Sequence, residues 1–256
     1  MLQGIDHIAV VVPDLNTAMA NYTALGFTVV PGGRHPIGSH NALIGFEDGS
    51  YIELLAFFEP NPGHRWYQVL QKGGGLVDYC MVTDDLLGDI AAFRAAGIPL
   101  GDPSPLSRVR PDGYKLDWVM GFSDNDAQQG IVPFLIEDRT PRSERVPKQT
   151  QHANGVTGIA AVTVIGSETV FKPLSQLFDT ATPVERPNLN TRGYRATSGP
   201  QTFDFLLTPT AGPVADWAAR SGGGIYSAVL TTRGTQRGEL DPELALKARF
   251  HLEGQA

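Results

Sequence analysis

His7 lies near the start of the stretch GIDHIAVVVPDL, in a run of β-branched residues that reads as a strand. An imidazole can ligate a metal or carry a proton near neutral pH. Side chains alternate along a strand, so Ile8, Val10 and Val12 share one face while Ile5, His7, Ala9 and Val11 share the other. A second strand, YIELLAF, carries Glu53. Its Ile52, Leu54 and Ala56 form an apolar row, which leaves Tyr51, Glu53 and Leu55 on the opposite face. A neutral imidazole beside a carboxylate suits a borderline divalent metal such as Zn, Fe, Mn, Ni or Co.

Other polar residues fall in loops. GGRHPIGSHNAL brings His35, His40 and Asn41 to a Gly-rich turn that feeds a strand; it lacks the Gly-Lys-Ser/Thr ending of a phosphate loop. His40 and Asn41 are candidate substrate contacts, and His35 is expected to be a solvated turn residue. RVRPDGYKLDW supplies Arg108, Arg110 and Trp118. An arginine here can clamp a carboxylate or phosphate, and Arg110 and Trp118 are taken as substrate-binding candidates. Arg142, Glu144 and Arg145 are expected to form salt bridges among themselves. Cys80 is the single cysteine, so no internal disulfide forms. No Ser-His-Asp pattern and no dinucleotide fingerprint is present.

The elements that position these residues repeat. Asp14 caps a helix that stops at Gly26, and Asp85 caps one that stops at Gly97, with identical spacing from cap to stop. Leu15, Ala18, Met19, Tyr22 and Leu25 give the first helix one apolar face. Each helix follows a strand, and aligning the caps sets Asp78 opposite His7. Further strands follow each helix, at 27–30, 40–46 and 51–57 in the first unit and near 115–122 and 131–137 in the second. Residues 4–57 and 75–139 therefore read as two βαβββ units of one domain, 1–139. Residues 140–155, polar and proline-bearing, read as a linker. Residues 156–256 repeat the pattern faintly, as a truncated second pair with Gly158 opposite His7 and Ser227 opposite Asp78. This half is expected to hold no equivalent metal. The fold class is α+β.

A net charge of −7 and a sequence pI of about 5.3 argue against general nucleic-acid binding, which needs clustered Lys and Arg. No apolar run is long enough for a membrane span, and no signal-peptide pattern opens the chain. A cytoplasmic protein is expected, with a small-molecule substrate and, as a protein partner, a second copy in a homodimer.

The motifs DHIAVVVPDL, LGFTVVPGGRHPIGSHNALIGFEDGSYIELLAF, RVRPDG and TPRSERVP resemble the glyoxalase-like branch of the vicinal oxygen chelate superfamily. The resemblance implies paired βαβββ units curling around one cleft. A divalent metal is often held there by the first and last strands of each unit. It places Asp78 at the third ligand position, where His or Gln is more usual. The fourth position is open between two alignments. Matching IE to IE selects Glu137, and matching strand length selects Phe134. Glu137 is preferred because Val132, Phe134 and Ile136 make a helix-facing row. The set His7, Glu53, Asp78 and Glu137 carries three carboxylates, which favours Mn, Fe or Mg over zinc, or no metal.

The implied function is a metal-dependent lyase or isomerase acting on a small oxygenated molecule, with Glu53 or Glu137 as base. The alternative is a metal-free binding or sequestration protein with a cleft lined by Trp66, Tyr79 and Trp118. A ring-cleaving dioxygenase is a weaker reading, because Asp78 replaces its second histidine. As a cleft ligand, His7 is expected to tolerate His7→Ala with little loss of stability, whereas Ile8→Ala removes core contacts.

Overall fold

The computed structural model describes residues 2–255. The first unit runs β1 (Ile5–Val11), α1 (Leu15–Ala24), β2 (Val30–Arg34), β3 (Ser39–Gly45) and β4 (Tyr51–Phe57). A short helix, α2 (Tyr67–Gln71), leads to the second unit: β5 (Gly75–Val82), α3 (Leu86–Ala95), β6 (Ser104–Val109), β7 (Lys115–Gly121) and β8 (Phe134–Asp138). Asp14 and Asp85 cap α1 and α3 through their carboxylates, which accept from Thr17 N and Gly88 N.

The eight strands close a barrel in the order β1-β4-β3-β2-β6-β7-β8-β5. Closure depends on glycine. A Cβ on Gly33 would stand 2.1 Å from the Val109 carbonyl, and one on Gly32 would stand 2.1 Å from Asn41 Oδ1. At this seam Arg34 pairs with Val109 to join β2 to β6. The Gly-rich stretch is thus part of a strand, β2, and that strand begins at Val30 rather than Phe27.

The two units are related by an internal twofold that the pairing of β1 with β5 makes visible. His7 pairs with Cys80, and Ala9 pairs with Asp78. The shift that carries His7 onto Asp78 carries Ala9 onto Cys80, so each pair maps onto the other. Asp6 is skipped as a bulge on β1, and Val77, its counterpart under that shift, is skipped on β5.

After α4 (Arg142–Arg145) the chain forms β9 (Val156–Gly166), α5 (Glu168–Ser175), β10 (Thr180–Arg186), β11 (Thr191–Ser198) and β12 (Gln201–Leu207). It continues as α6 (Pro213–Ser221), β13 (Gly224–Thr232), β14 (Gly238–Glu239) and β15 (Phe250–Gly254). These strands make one open sheet, ordered β10-β11-β12-β9-β13-β15-β14. The bulges between β9 and β13 fall at Thr157, Ala160 and Tyr226. The bulge at Ala160 moves the counterpart of His7 from Gly158 to Ala161; Ser227 keeps its place opposite Asp78. Neither Gly nor Ala offers a side-chain ligand.

Two apolar layers hold the molecule together. Ala9, Val11, Leu55, Cys80, Leu116, Phe134 and Ile136 fill the barrel. Ile8, Val10, Ile52, Leu54, Tyr79 and Met81 face outward into a larger core. There α1 covers β3 and β4, α3 covers β7 and β8, and β13 of the open sheet packs on β5. The outer row of β1 therefore joins a core shared with Val162, Val164, Phe203 and Phe205 of the second half, rather than one covered by α1 alone. No described helix is long and apolar enough to cross a membrane.

Candidate active site inside the barrel

Parity predicts the interior of β1 and β4 correctly. Tyr51, Glu53 and Leu55 point inward with His7 and line a cavity in the barrel. His7 is only 3% exposed. Its ring stacks on Tyr51, with centroids 4.6 Å apart and planes 18° from parallel, and meets the edge of Phe134 at 5.3 Å.

The bulge at Asp6 brings a carboxylate to the same end of the ring. His7 Nδ1 lies 2.7 Å from Asp6 Oδ1. Asp6 also accepts from Arg145 at 2.9 and 2.8 Å and from Arg142. Two guanidiniums hold Asp6 as a carboxylate, which can only accept, so the ring hydrogen sits on Nδ1. The His7 Nε2 lone pair then faces Glu53 Oε2 across 3.6 Å. Burial lowers the His7 pKa to about 4, against the pull of Glu53, so the ring is neutral at pH 7. Burial pushes Glu53 upward, but His7, His35, the Asn41 hydrogen bond and Arg108 outweigh it and leave its pKa below the usual value. Asn41 donates its amide to Glu53 Oε1 at 2.6 Å and accepts from Arg108 Nη1 at 3.4 Å.

The other predicted residues divide. Asn41 and Trp118 line the cavity. His40, one residue out of phase with Asn41, turns outward and meets Phe58 edge-on. Arg110 sits at the rim, bound to Asp112 at 2.6 Å and to Glu144 at 2.8 Å; Arg108, two residues earlier, is the inward one. Glu137 is also outside. Its Oε2 accepts from Leu86 N at the start of α3, at 2.9 Å, and its Oε1 pairs with Arg139. The register explains this. Ala9 lies opposite Glu53, and its twofold mate Cys80 lies opposite Phe134, so Phe134 is the counterpart of Glu53. Phe134 and Ile136 face into the barrel, and it is Leu135 that joins the outer core. Tyr79 likewise faces outward, donating to the Ile131 carbonyl at 2.9 Å.

Several site residues fall outside the candidate set, and His35, expected to be a solvated turn residue, is among them. Arg145 closes one end of the barrel, donating to Asp6, to Asp138 at 2.5 and 2.8 Å, and to the Tyr51 hydroxyl at 2.8 Å. The segment expected to be a plain linker thus supplies a wall of the site. His35 and His64 both line the cavity, and burial lowers each to about 4.

The donor set does not suit a resident divalent metal held by both units. Phe134 occupies the fourth corner. Asp78 Oδ2 is taken by Arg65 at 2.8 Å and Trp66 Nε1 at 3.1 Å, and its Oδ1 by Tyr79 N at 3.0 Å. Asp6, His7 and Cys80 bring three ligand atoms together, but Asp6 is committed to Arg145 and Arg142, and burial raises the Cys80 thiol well above its usual pKa. His7 and Glu53 remain as two ligands beside the Arg108 cation.

Comparison with known proteins agrees with this architecture. The chain superposes over 100% of its length, and 100% of the other's, on a structure described as a hypothetical protein from Staphylococcus aureus, with a TM-score of 0.74 and 17% identity. It also matches a xylose isomerase-like TIM barrel/4-hydroxyphenylpyruvate dioxygenase fusion protein at a TM-score of 0.52 and 15% identity, covering 92% of this chain but only 37% of that one. At these identities the likeness shows the fold alone. A comparison with curated protein sequences finds no match. The sequence profile of the glyoxalase-like domain matches residues 5–178, the whole barrel and the start of the open sheet. With paired βαβββ units closed around one cavity, the chain belongs to the glyoxalase-like domain family of the vicinal oxygen chelate superfamily.

Proposed function

We propose that the barrel binds a small oxygenated organic molecule and moves a proton on it, as an isomerase or lyase does, with His7 and Glu53 as the proton-handling pair. One observation carries this reading. His7 Nε2 and Glu53 Oε2 face each other at 3.6 Å inside a closed barrel, and neither has a hydrogen to give the other. A ligand C–H or O–H presented to both from the cavity meets a neutral base at Nε2 and a carboxylate at Oε2. The proton passes to Nε2, and Asp6 stabilises the imidazolium through Nδ1. The electron pair left behind moves onto the ligand's own oxygen, on the side of the cavity where Arg108 lies. Return of the proton to another atom completes an isomerisation without a co-reactant. The metal-dependent version of this chemistry has less support, because only two of the four ligand corners are open to a cation.

Deuterium incorporation from D₂O into small hydroxy and oxo acids, followed by NMR, tests the proposal. Exchange catalysed by the wild type should fall at least a hundredfold in both His7→Gln and Glu53→Gln, and should survive dialysis against a chelator. Exchange unaltered in His7→Gln would refute it.

The second reading, sequestration without chemistry, draws on the apolar and aromatic wall formed by Leu55, Trp66, Met120 and Phe122. Saturable ligand binding with no exchange of any bound hydrogen would favour it. A ring-cleaving iron site has the least support, since Asp78 and Phe134 leave one histidine and one carboxylate.

A further inference from the structure

Three arginines line the barrel cavity, and two of them are matched by acids. Arg65 pairs with Asp78 at 2.8 Å, and Arg145 with Asp6 and Asp138. Arg108, only 3% exposed, has no carboxylate at ion-pair distance among the described residues. Its Nη2 donates to the Arg145 carbonyl at 3.2 Å and its Nη1 to Asn41 Oδ1 at 3.4 Å, both neutral acceptors. Its Nε is buried with no partner at all. The second buried polar atom without a partner is Trp118 Nε1, in the wall of the same cavity.

These two orphan donors are neighbours. Leu106 of β6 lies opposite Trp118 of β7, and Arg108 lies opposite Leu116. Arg108 and Trp118 are therefore diagonal partners on the inner face, with backbones roughly 7–8 Å apart, a gap that two long side chains can close on one group. A buried cation without a counter-ion and a buried N–H without an acceptor both destabilise a fold. One ligand group relieves both: an acceptor that also carries negative charge.

The rest of the cavity narrows the choice. A neutral carbonyl satisfies an N–H but leaves the guanidinium charge unmatched. A phosphate or sulfate brings more oxygens than the two free donors serve, and its second charge meets Glu53. A carboxylate has two oxygens for two N–H groups and a single charge. Resting on the functional reading above, we propose that Arg108 Nε and Trp118 Nε1 bind the carboxylate of a small organic acid, whose neighbouring carbon carries the hydroxyl or C–H that His7 and Glu53 accept. The apolar remainder of the ligand lies against Leu55, Leu106 and Phe122.

The test is calorimetric titration of the full chain with acetate, lactate, benzoate and mandelate, and with the amide of each. At least one carboxylate should bind, and bind tenfold or more tightly than its amide. Arg108→Gln should remove that preference, and Trp118→Phe should weaken the carboxylate several-fold with little effect on the amide. Arg108→Lys, which keeps a charge but loses Nε, should recover only part of the affinity. Near-ultraviolet circular dichroism confirms that each variant is folded before titration. If no acid in the set is preferred over its amide, or if the preference persists in Arg108→Gln, the proposal is overturned. Arg108-dependent carboxylate binding without hydrogen exchange would uphold it while removing the catalytic role of His7 and Glu53.

Discussion

His7 Nε2 stands 3.6 Å from Glu53 Oε2, with Asp6 fixing the ring hydrogen at the far nitrogen. Two acceptors held face to face in a buried site have no hydrogen to share, and several properties of the protein follow from how that arrangement is maintained.

The first is pH dependence. The folded pKa of His7 is lowered to about 4, below its unfolded value of 6.5. As pH falls through that window the unfolded chain takes up a proton that the folded protein refuses. Stability is therefore full above pH 6.5 and is lost toward pH 4, by up to about 1.4 kcal/mol per pH unit from this residue. Urea denaturation of wild type and His7→Gln between pH 7.5 and 4.5 should show the shallower slope in the variant; equal slopes would remove His7 as the titrating group.

Stability should separate the buried arginines. Arg145→Met leaves Asp6 and Asp138 with Arg142 as their one remaining cation and should cost about 3 kcal/mol. Arg108→Met removes a cation that has no acid partner and should be close to neutral or stabilising. Denaturant midpoints of the two variants check this, and similar large losses in both would contradict the contrast.

Glu137→Ala should leave ligand binding unchanged. Its cost, about 1 kcal/mol, is the loss of an acceptor for the first turn of α3. Reduced ligand affinity in this variant would place Glu137 back in the site.

Gly33→Ala drives a methyl group into the Val109 carbonyl at the barrel seam and should cost about 1–3 kcal/mol. A variant as stable as wild type would mean that the seam can open without penalty.

His7→Ala and Ile8→Ala should both lower the melting temperature. Ile8 lies in the shared core, where truncation costs about 2–5 kcal/mol. His7 is stacked on Tyr51 and bonded to Asp6, so its removal also costs stability, contrary to the expectation for an exposed cleft ligand. Melting curves rank them; an unaffected His7→Ala protein would restore the original view.

The elements of the barrel were legible in the sequence because they follow local rules. Asp14 and Asp85 are caps, alternation marks the two faces of β1 and β4, and the matched spacing aligns His7 with Asp78. What alternation cannot show is a break in itself. The bulge at Asp6 adds one residue and turns a carboxylate onto His7, and the bulge at Ala160 moves the later register. The assignment of Glu137 failed for a related reason. Reading Val132, Phe134 and Ile136 as a helix-facing row selects Glu137, whereas pairing across β5 and β8 turns Phe134 and Ile136 into the barrel. Arg145 was out of reach, since nothing local says that a helix of four residues between two sheets will close a barrel.

The bulge at Asp6 is matched on the twofold by a bulge at Val77, one ionic and the other aliphatic. A barrel whose halves were chemically alike would admit a guest either way round. Here His7 answers to Asp78, and Glu53 to Phe134, so the two poles of the cavity differ at both of these positions. A guest anchored at one pole has a single heading. Under the proton transfer proposed above, a base on one wall reaches one prochiral face only, so that chemistry is expected to be stereospecific through the places where the two copies of the unit have diverged.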